Sequence, residues 1–143
     1  MGHSIQFSFC PLVWTFCCSR VLNNRINRIQ ERALKFVYRD CSSSFEELLK
    51  KDGSVCIHHR NIQHIAIAMF KIKYGLCSKS MKKLFKMNSN PYKRKTFIIP
   101  NVKTEYWGKL SLRYFGPVVW DIMLPEKYKN IEELKKFQLA IKE

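Results

Sequence analysis

Apolar residues recur at intervals of three and four positions along two long stretches of the chain, a spacing that predicts amphipathic helices. The first stretch covers residues 21–39 and the second residues 55–74, where Gly75 marks the C-terminal stop. Between them, Ser44 and Glu47 have the spacing of a capping box and predict a short helix that ends at Gly53. On the first helix we expect one apolar stripe to be buried, formed by Leu22, Ile26, Ile29, Ala33, Phe36 and Val37.

The periodicity changes in the last third of the chain. Its composition predicts short strands over residues 96–99, 102–106 and 110–114. Residues 115–124 form an apolar block around Trp120, and Asn130 with Glu133 predicts the cap of a final amphipathic helix whose apolar side includes Phe137. The predicted fold class is therefore mainly α, with basic amphipathic helices, a small C-terminal region of short β-strands and a final helix.

The charge is unevenly distributed. The chain of 143 residues has a formal net charge of +15, of which residues 1–95 carry +13. Residues 53–104 contain eleven Lys and Arg but no Asp or Glu, whereas a soluble surface normally intersperses both signs of charge. An anionic partner would offset this repulsion. A phosphate backbone is the expected partner, because each neutralised phosphate releases counterions, and a membrane surface is the other candidate.

Basic residues cluster on the predicted helices and beside a linker at residues 88–91, and we predict that they contact nucleic acid. The predicted contact residues are Arg25, Arg28, Arg32, Lys35, Arg39, Arg60, Lys71, Lys93, Arg94 and Lys95. The first five, the basic stripe, follow one another at intervals of three or four, which places them on one helix face with Glu31 on the far side. Tyr92 and Phe97 are available to stack on bases. An ordinary solvated helix face is the alternative interpretation.

No arrangement of residues in the sequence indicates catalysis or a cofactor. Asp40, Asp52 and Asp121 are isolated, so no pair of carboxylates is available for the metal ions that phosphoryl transfer uses. Six cysteines and four histidines lack the spacing of a zinc site, and we interpret the thiols as reduced and intracellular. We expect no cofactor, no small-molecule substrate and no membrane span, since the apolar run at residues 5–18 is too short for one.

Several residue runs occur in an order that resembles a known protein family. They are FCPLVW at residues 9–14, LNNRINRIQERAL at residues 22–34, SFEELL at residues 44–49, VCIHHRNIQ at residues 55–63 and LRYFGP at residues 112–117, followed by Trp120, Leu124, Pro125 and Phe137. Over about residues 7–142, this ordered set resembles the C-terminal region of reverse transcriptases encoded by jockey-like non-LTR retrotransposons, downstream of the polymerase palm.

The resemblance implies a thumb and post-thumb fragment of an RNA-directed DNA polymerase that grips template and primer. It implies residues 1–39 as thumb-like terminal helices, residues 40–90 as a basic helical region and residues 91–143 as a small C-terminal β/α region. The palm with its paired metal-binding aspartates is missing, so we expect no polymerase or nuclease activity from the chain alone. The expected partners are an RNA or DNA backbone and the missing palm, and the expected location is intracellular, in the nucleus.

Two other interpretations stay open. Residues 92–97 are shorter than the basic loop usual in the family, and the chain starts abruptly in an apolar segment, as expected of a decayed element fragment. Alternatively, the chain is a co-opted helical module that binds another protein through an apolar surface containing Phe9, Trp14 and Phe16.

Overall fold

The computed structural model describes residues 20–90, 95–104 and 108–142, and helices dominate them. The elements are α1 (Arg20–Tyr38), α2 (Phe45–Asp52), α3 (Ile57–Lys73), α4 (Lys79–Lys83), α5 (Leu112–Val118), a π-helical turn (Val119–Met123), α6 (Glu126–Lys129) and α7 (Leu134–Ala140). The chain divides into two compact units, Met1–Asn61 and Ile62–Glu143, with the boundary inside α3. The mainly helical class is confirmed. The predictions for residues 5–18, and for Tyr92, Lys93 and Arg94, fall outside the described residues.

The predicted capping box at the start of α2 is confirmed. The backbone N–H of Glu47 donates to the Ser44 hydroxyl over 3.3 Å, and the backbone N–H of Ser44 donates to the Glu47 carboxylate over 2.9 Å. Such a cap stabilises a helix by about 1 kcal/mol relative to alanine. At the other end, Gly53 adopts φ 65° and its N–H reaches the Leu49 and Lys50 carbonyls. Both ends of α2 are therefore determined by local sequence, as the spacing predicted.

The first unit has a small core in which α1 packs against α2. Leu34, Leu48 and Ile57 are buried in it. The Gln30 side chain, also buried, joins α1 to the start of α3: its amide nitrogen donates to the Val55 carbonyl over 3.2 Å, and its amide oxygen accepts from the Ile57 N–H over 3.2 Å. Because the first N–H groups of a helix have no intrahelical acceptor, Gln30 satisfies one of the orphan donors of α3.

The core of the second unit is aromatic. Phe70 stacks on Phe137 with ring centroids 4.5 Å apart, and Trp120 meets Phe70 and Phe97 edge to face at 6.4 and 6.3 Å. All four rings are buried. Gly116 lies against this core so closely that a Cβ atom there would stand 2.7 Å from the Met69 sulfur. The predicted apolar block around Trp120 is therefore core, and its glycine is required by close approach.

The final amphipathic helix is confirmed, because Phe137 of α7 is fully buried. Its predicted start is wrong: α7 begins at Leu134 after Glu133, and no side chain caps it. Two side chains of α3 and one just after its end donate to carbonyl groups of the segment that surrounds α7. Gln63 donates to Ile141 over 2.8 Å, Lys73 to Lys129 over 3.1 Å, and Tyr74 to Ile131 over 3.3 Å. The C-terminal segment is thus attached to α3 along its length.

The predicted C-terminal strands are not found among the described residues. Residues 110–114 instead enter α5, and the one described strand-like pairing is an isolated bridge between Met87 and Phe97. The Asp121 carboxylate accepts the backbone N–H groups of Thr96 and Phe97 over 2.9 and 3.0 Å. Those donors are consequently satisfied by a side chain rather than by a neighbouring strand. Residues 110–114 alternate apolar and polar side chains, which is the period of a strand, so the local pattern predicted a strand where the fold forms the start of a helix.

Candidate nucleic-acid interface

The basic stripe lies along α1, and four of its five residues are exposed. Arg25, Arg28 and Arg32 project from the helix at spacings of three and four, and Arg39 follows its last residue. In the described part of the chain, no acidic side chain pairs with any of these guanidinium groups. Guanidinium groups carry a positive charge and present planar donors that suit phosphate oxygens. These four cations, the α1 arginines, are therefore available to an anionic partner.

Lys35 differs from the other members of the stripe. Its ammonium group lies 2.7 Å from the Glu31 carboxylate one turn earlier, and both side chains are about a third exposed. The prediction that Glu31 lies on the far side of the helix from the basic stripe is wrong, because residues four apart are neighbours on a helix surface and Glu31 reaches Lys35. The pair neutralises the one acidic residue of α1 and removes Lys35 from the cations that are free to bind.

The apolar stripe predicted to be the buried face of α1 is largely exposed. Phe36 is 85% exposed, Val37 51% and Ile29 50%, whereas the buried side chains of the helix are Leu34 and Gln30. The helix is therefore rotated from the predicted orientation by roughly one residue's turn of about 100°. The cause is tertiary, because the Gln30 amide must face the start of α3. As a result, an exposed apolar surface lies beside the α1 arginines.

The C-terminal end of α1 is held in place by α2. The Tyr38 hydroxyl donates to the Asp52 carboxylate over 2.9 Å, and the Lys51 ammonium lies 5.2 Å from the centre of the Tyr38 ring. The hydrogen bond to Asp52, together with burial and the carboxylate charge, raises the pKa of Tyr38. These contacts orient the last turn of α1, which carries Phe36 and is followed by Arg39.

A polar turn connects α1 to α2 and is organised by one carboxylate. Asp40 accepts from the hydroxyl and N–H of Ser43 over 2.6 and 3.1 Å, and from the hydroxyl and N–H of Ser42 over 2.9 and 3.1 Å. These bonds, the Ser43 hydroxyl above all, hold the pKa of Asp40 well below its usual range. Arg39, just before it, has the positive φ of 49°, a conformation that disfavours every residue with a Cβ atom.

The remaining predicted contact residues are distributed over both units. Arg60 and Lys71 are both on α3, each partly buried, but Arg60 belongs to the first unit and Lys71 to the second. Lys95 is exposed, and Lys93 and Arg94 fall outside the described residues. The α1 arginines are therefore the predicted contact residues that the structure displays together on one element.

The prediction that Phe97 stacks on bases is wrong. Phe97 is 1% exposed and packs edge to face against Phe85 and Trp120. Its neighbouring backbone N–H groups are taken by Asp121, so the segment is held against the core. The basic residues around Phe97 in the sequence suggested that its ring lies on the surface. Its burial depends instead on the aromatic cluster with Phe85 and Trp120, which forms only in the tertiary fold.

Sequence reasoning missed two further features of the surface. The exposed ring of Phe36 is one. The other is a cavity of about 200 Å³ in the second unit, whose apolar walls include Leu84 and Ile98 and whose cations are Lys86 and Arg113. That cavity is smaller than most sites for drug-sized ligands. Within the described residues, no three His, Cys, Asp or Glu side chains form a group that could hold a metal ion.

None of the described helices combines the length and apolar character that crossing a bilayer requires. No protein-family model, no curated protein and no solved structure matches this chain. The geometry of α1 and the ordered residue runs given above are therefore what supports a function.

Proposed function

We propose that this chain is a non-catalytic nucleic-acid-binding module that contacts an RNA or DNA backbone through the α1 arginines. The observation that carries the proposal is the presence of four exposed guanidinium groups on and just after one helix, with its single acid already paired to Lys35. Neutralising phosphates with such groups releases counterions and supplies sequence-independent affinity. The overall charge of +15 adds long-range attraction to the same partner.

The likeness of residue runs to the thumb region of non-LTR retrotransposon reverse transcriptases supports this proposal. A thumb fragment grips template and primer and leaves phosphoryl transfer to the palm. The engagement of all three aspartates in the chain is consistent with such a role. Asp40 accepts from Ser42 and Ser43, Asp52 from Tyr38, and Asp121 from two backbone N–H groups. Each carboxylate serves local structure, and we propose a nuclear protein that binds nucleic acid without cleaving or extending it.

A protein-interaction module is the second candidate, and one observation favours it. Phe36, Val37 and Ile29 expose apolar surface beside the α1 arginines, and exposed apolar patches of this kind often mark interfaces. In the retrotransposon hypothesis, a polymerase palm would be a candidate for this partner, and a decayed element fragment would expose the same surface.

The test is a charge reversal on α1 with a matched control. Arg28→Glu and Arg32→Glu together should weaken binding of a labelled duplex and of a labelled single strand irrespective of sequence. Loss of two phosphate contacts should also make the slope of log K against log salt shallower by about 1.4 to 1.8. Both side chains are exposed, so folding should be unaffected, and circular dichroism checks this.

The control double variant is Lys135→Glu with Lys142→Glu, which makes the same change in net charge. Both lysines are exposed in the C-terminal segment, where the charges nearly balance. We expect this control to bind almost as well as the wild type. Equal loss in both double variants would mean that net charge alone attracts nucleic acid, and no loss in the α1 variant would make the stripe an ordinary solvated face.

A further inference from the structure

We propose that Phe36 is a base-stacking platform, which makes the α1 surface selective for single-stranded nucleic acid over duplex. The inference rests on the proposed nucleic-acid function and adds the class of substrate. Backbone contacts alone would bind single and double strands alike, in proportion to the phosphates they neutralise. An exposed aromatic ring among those cations adds a contact that only an unpaired base can make.

The ring is accessible on one side of the last turn of α1. Phe36 is 85% exposed, the largest fraction among the exposed apolar side chains of the described residues. No described aromatic ring lies against it. The helix end that carries it is nevertheless anchored, because Tyr38, two residues after Phe36, donates to Asp52, and Asp40, four residues after it, accepts from Ser43. An exposed ring on an anchored helix end is what a stacking platform requires.

Cations stand on both sides of the ring along the chain. Arg32 lies four residues before Phe36, which makes the two side chains neighbours on the helix surface. Arg39 lies three residues after it, immediately beyond the helix end, and both arginines are exposed. A nucleotide in a flexible strand carries its base and its phosphate side by side, so one base can stack on the ring while adjacent phosphates reach Arg32 and Arg39. In a duplex the bases are stacked on one another and cannot reach it.

Anionic membrane is the other partner with both charge and apolar character, and the geometry favours it less. A helix that lies in a membrane interface inserts a broad apolar face, with its cations on the polar face. On α1 the residues opposite the arginines, Gln30 and Leu34, are buried in the first unit. Ile29 and Val37 are only about half exposed, and the one large exposed ring, that of Phe36, lies between arginines. This interleaving of an aromatic ring with cations is typical of single-strand binding.

The experiment measures binding of the full chain to two labelled probes with equal numbers of phosphates, an oligothymidylate and a hairpin duplex. The variants are Phe36→Ala, Phe36→Leu and Phe36→Trp. Because stacking on one aromatic ring contributes at least about fivefold in affinity, Phe36→Ala and Phe36→Leu should bind the single strand at least about fivefold more weakly. Their duplex affinity should stay within about twofold of the wild type. Phe36→Trp keeps an aromatic ring and should bind the single strand about as well as the wild type.

Several results would overturn the inference. Unchanged single-strand binding by Phe36→Ala would remove the platform, and equal weakening for both probes would remove the selectivity. Lower thermal stability of Phe36→Ala with unchanged binding would show that another part of the chain covers the ring. Wild-type binding to vesicles containing phosphatidylserine, lost in Phe36→Ala, together with no discrimination between the probes, would assign the ring to a membrane. If the Arg28→Glu, Arg32→Glu variant binds normally, the proposed function itself fails, and that result is distinct from any failure at Phe36.

Discussion

Replacing Arg39 with glycine should stabilise the fold and weaken nucleic-acid binding at the same time. Arg39 follows the last residue of α1 with φ 49°. Its N–H reaches the Phe36 carbonyl over 3.4 Å, and the Asp40 N–H reaches the Lys35 carbonyl over 3.1 Å. This is the position after a helix at which glycine is usually found, because glycine has no Cβ to strain. The exposed Arg39 side chain is also one of the α1 arginines.

Two opposing contributions set the expected gain in stability. A left-handed conformation costs a residue with a Cβ atom about 1–2 kcal/mol. Glycine avoids this cost but loses about 0.5–1 kcal/mol more conformational entropy on folding. Arg39→Gly should therefore raise the free energy of unfolding by up to about 1.5 kcal/mol, with a central value of about 0.75 kcal/mol. For a chain of this size, such a gain corresponds to a rise in Tm of about 3 °C.

The assay combines thermal unfolding with salt-dependent binding, and two matched variants separate strain from charge. Arg39→Ala removes the charge and retains the strain, whereas Arg39→Lys retains both. We expect Arg39→Gly and Arg39→Ala to lose one phosphate contact, which makes the salt slope shallower by about 0.7 to 0.9. Only Arg39→Gly should gain stability. An Arg39→Gly variant that unfolds at a lower temperature than the wild type, or that binds with an unchanged salt slope, would contradict these expectations.

Two further predictions concern the fold. Gly116→Ala should lower the free energy of unfolding by about 1–3 kcal/mol, because the new methyl group would overpack the core against the Met69 sulfur at 2.7 Å. Urea unfolding measures this change. Gly53→Ala is the control for backbone strain without overpacking, because φ is 65° at Gly53 but a Cβ atom there would meet nothing within 4 Å. The pKa of Asp40 is lower in the folded chain than in the unfolded chain, so its ionisation stabilises the fold above about pH 4 and this contribution is lost as the pH falls further. The Tm of Asp40→Asn should therefore fall less between pH 6 and pH 3 than that of the wild type, and an equal fall in both would contradict the assignment of the Asp40 turn.

Local chemistry made much of the helical structure predictable. The capping box of Ser44 and Glu47, the glycine after α2, and the apolar periodicity of α1 and α3 each involve residues a few positions apart. Such signals act within one turn of the chain and need no neighbour from elsewhere. The concentration of positive charge was likewise readable directly, since it is a property of composition. The mainly helical class and the position of the arginines on α1 could therefore be predicted from the sequence.

Contacts between distant residues decided the rest. The periodicity of α1 predicted an apolar stripe but not which face of the helix meets the core. The Gln30 amide bonds to the start of α3, and in this orientation Leu34 is buried and Phe36 is exposed. The Asp121 carboxylate accepts the N–H groups of residues 96 and 97, and residues 112–114 are helical where a strand was predicted. Phe97 was expected on the surface and lies among Phe85 and Trp120. In each case the deciding partner is more than twenty residues away or belongs to a core that exists only after folding, and local periodicity contains no information about it.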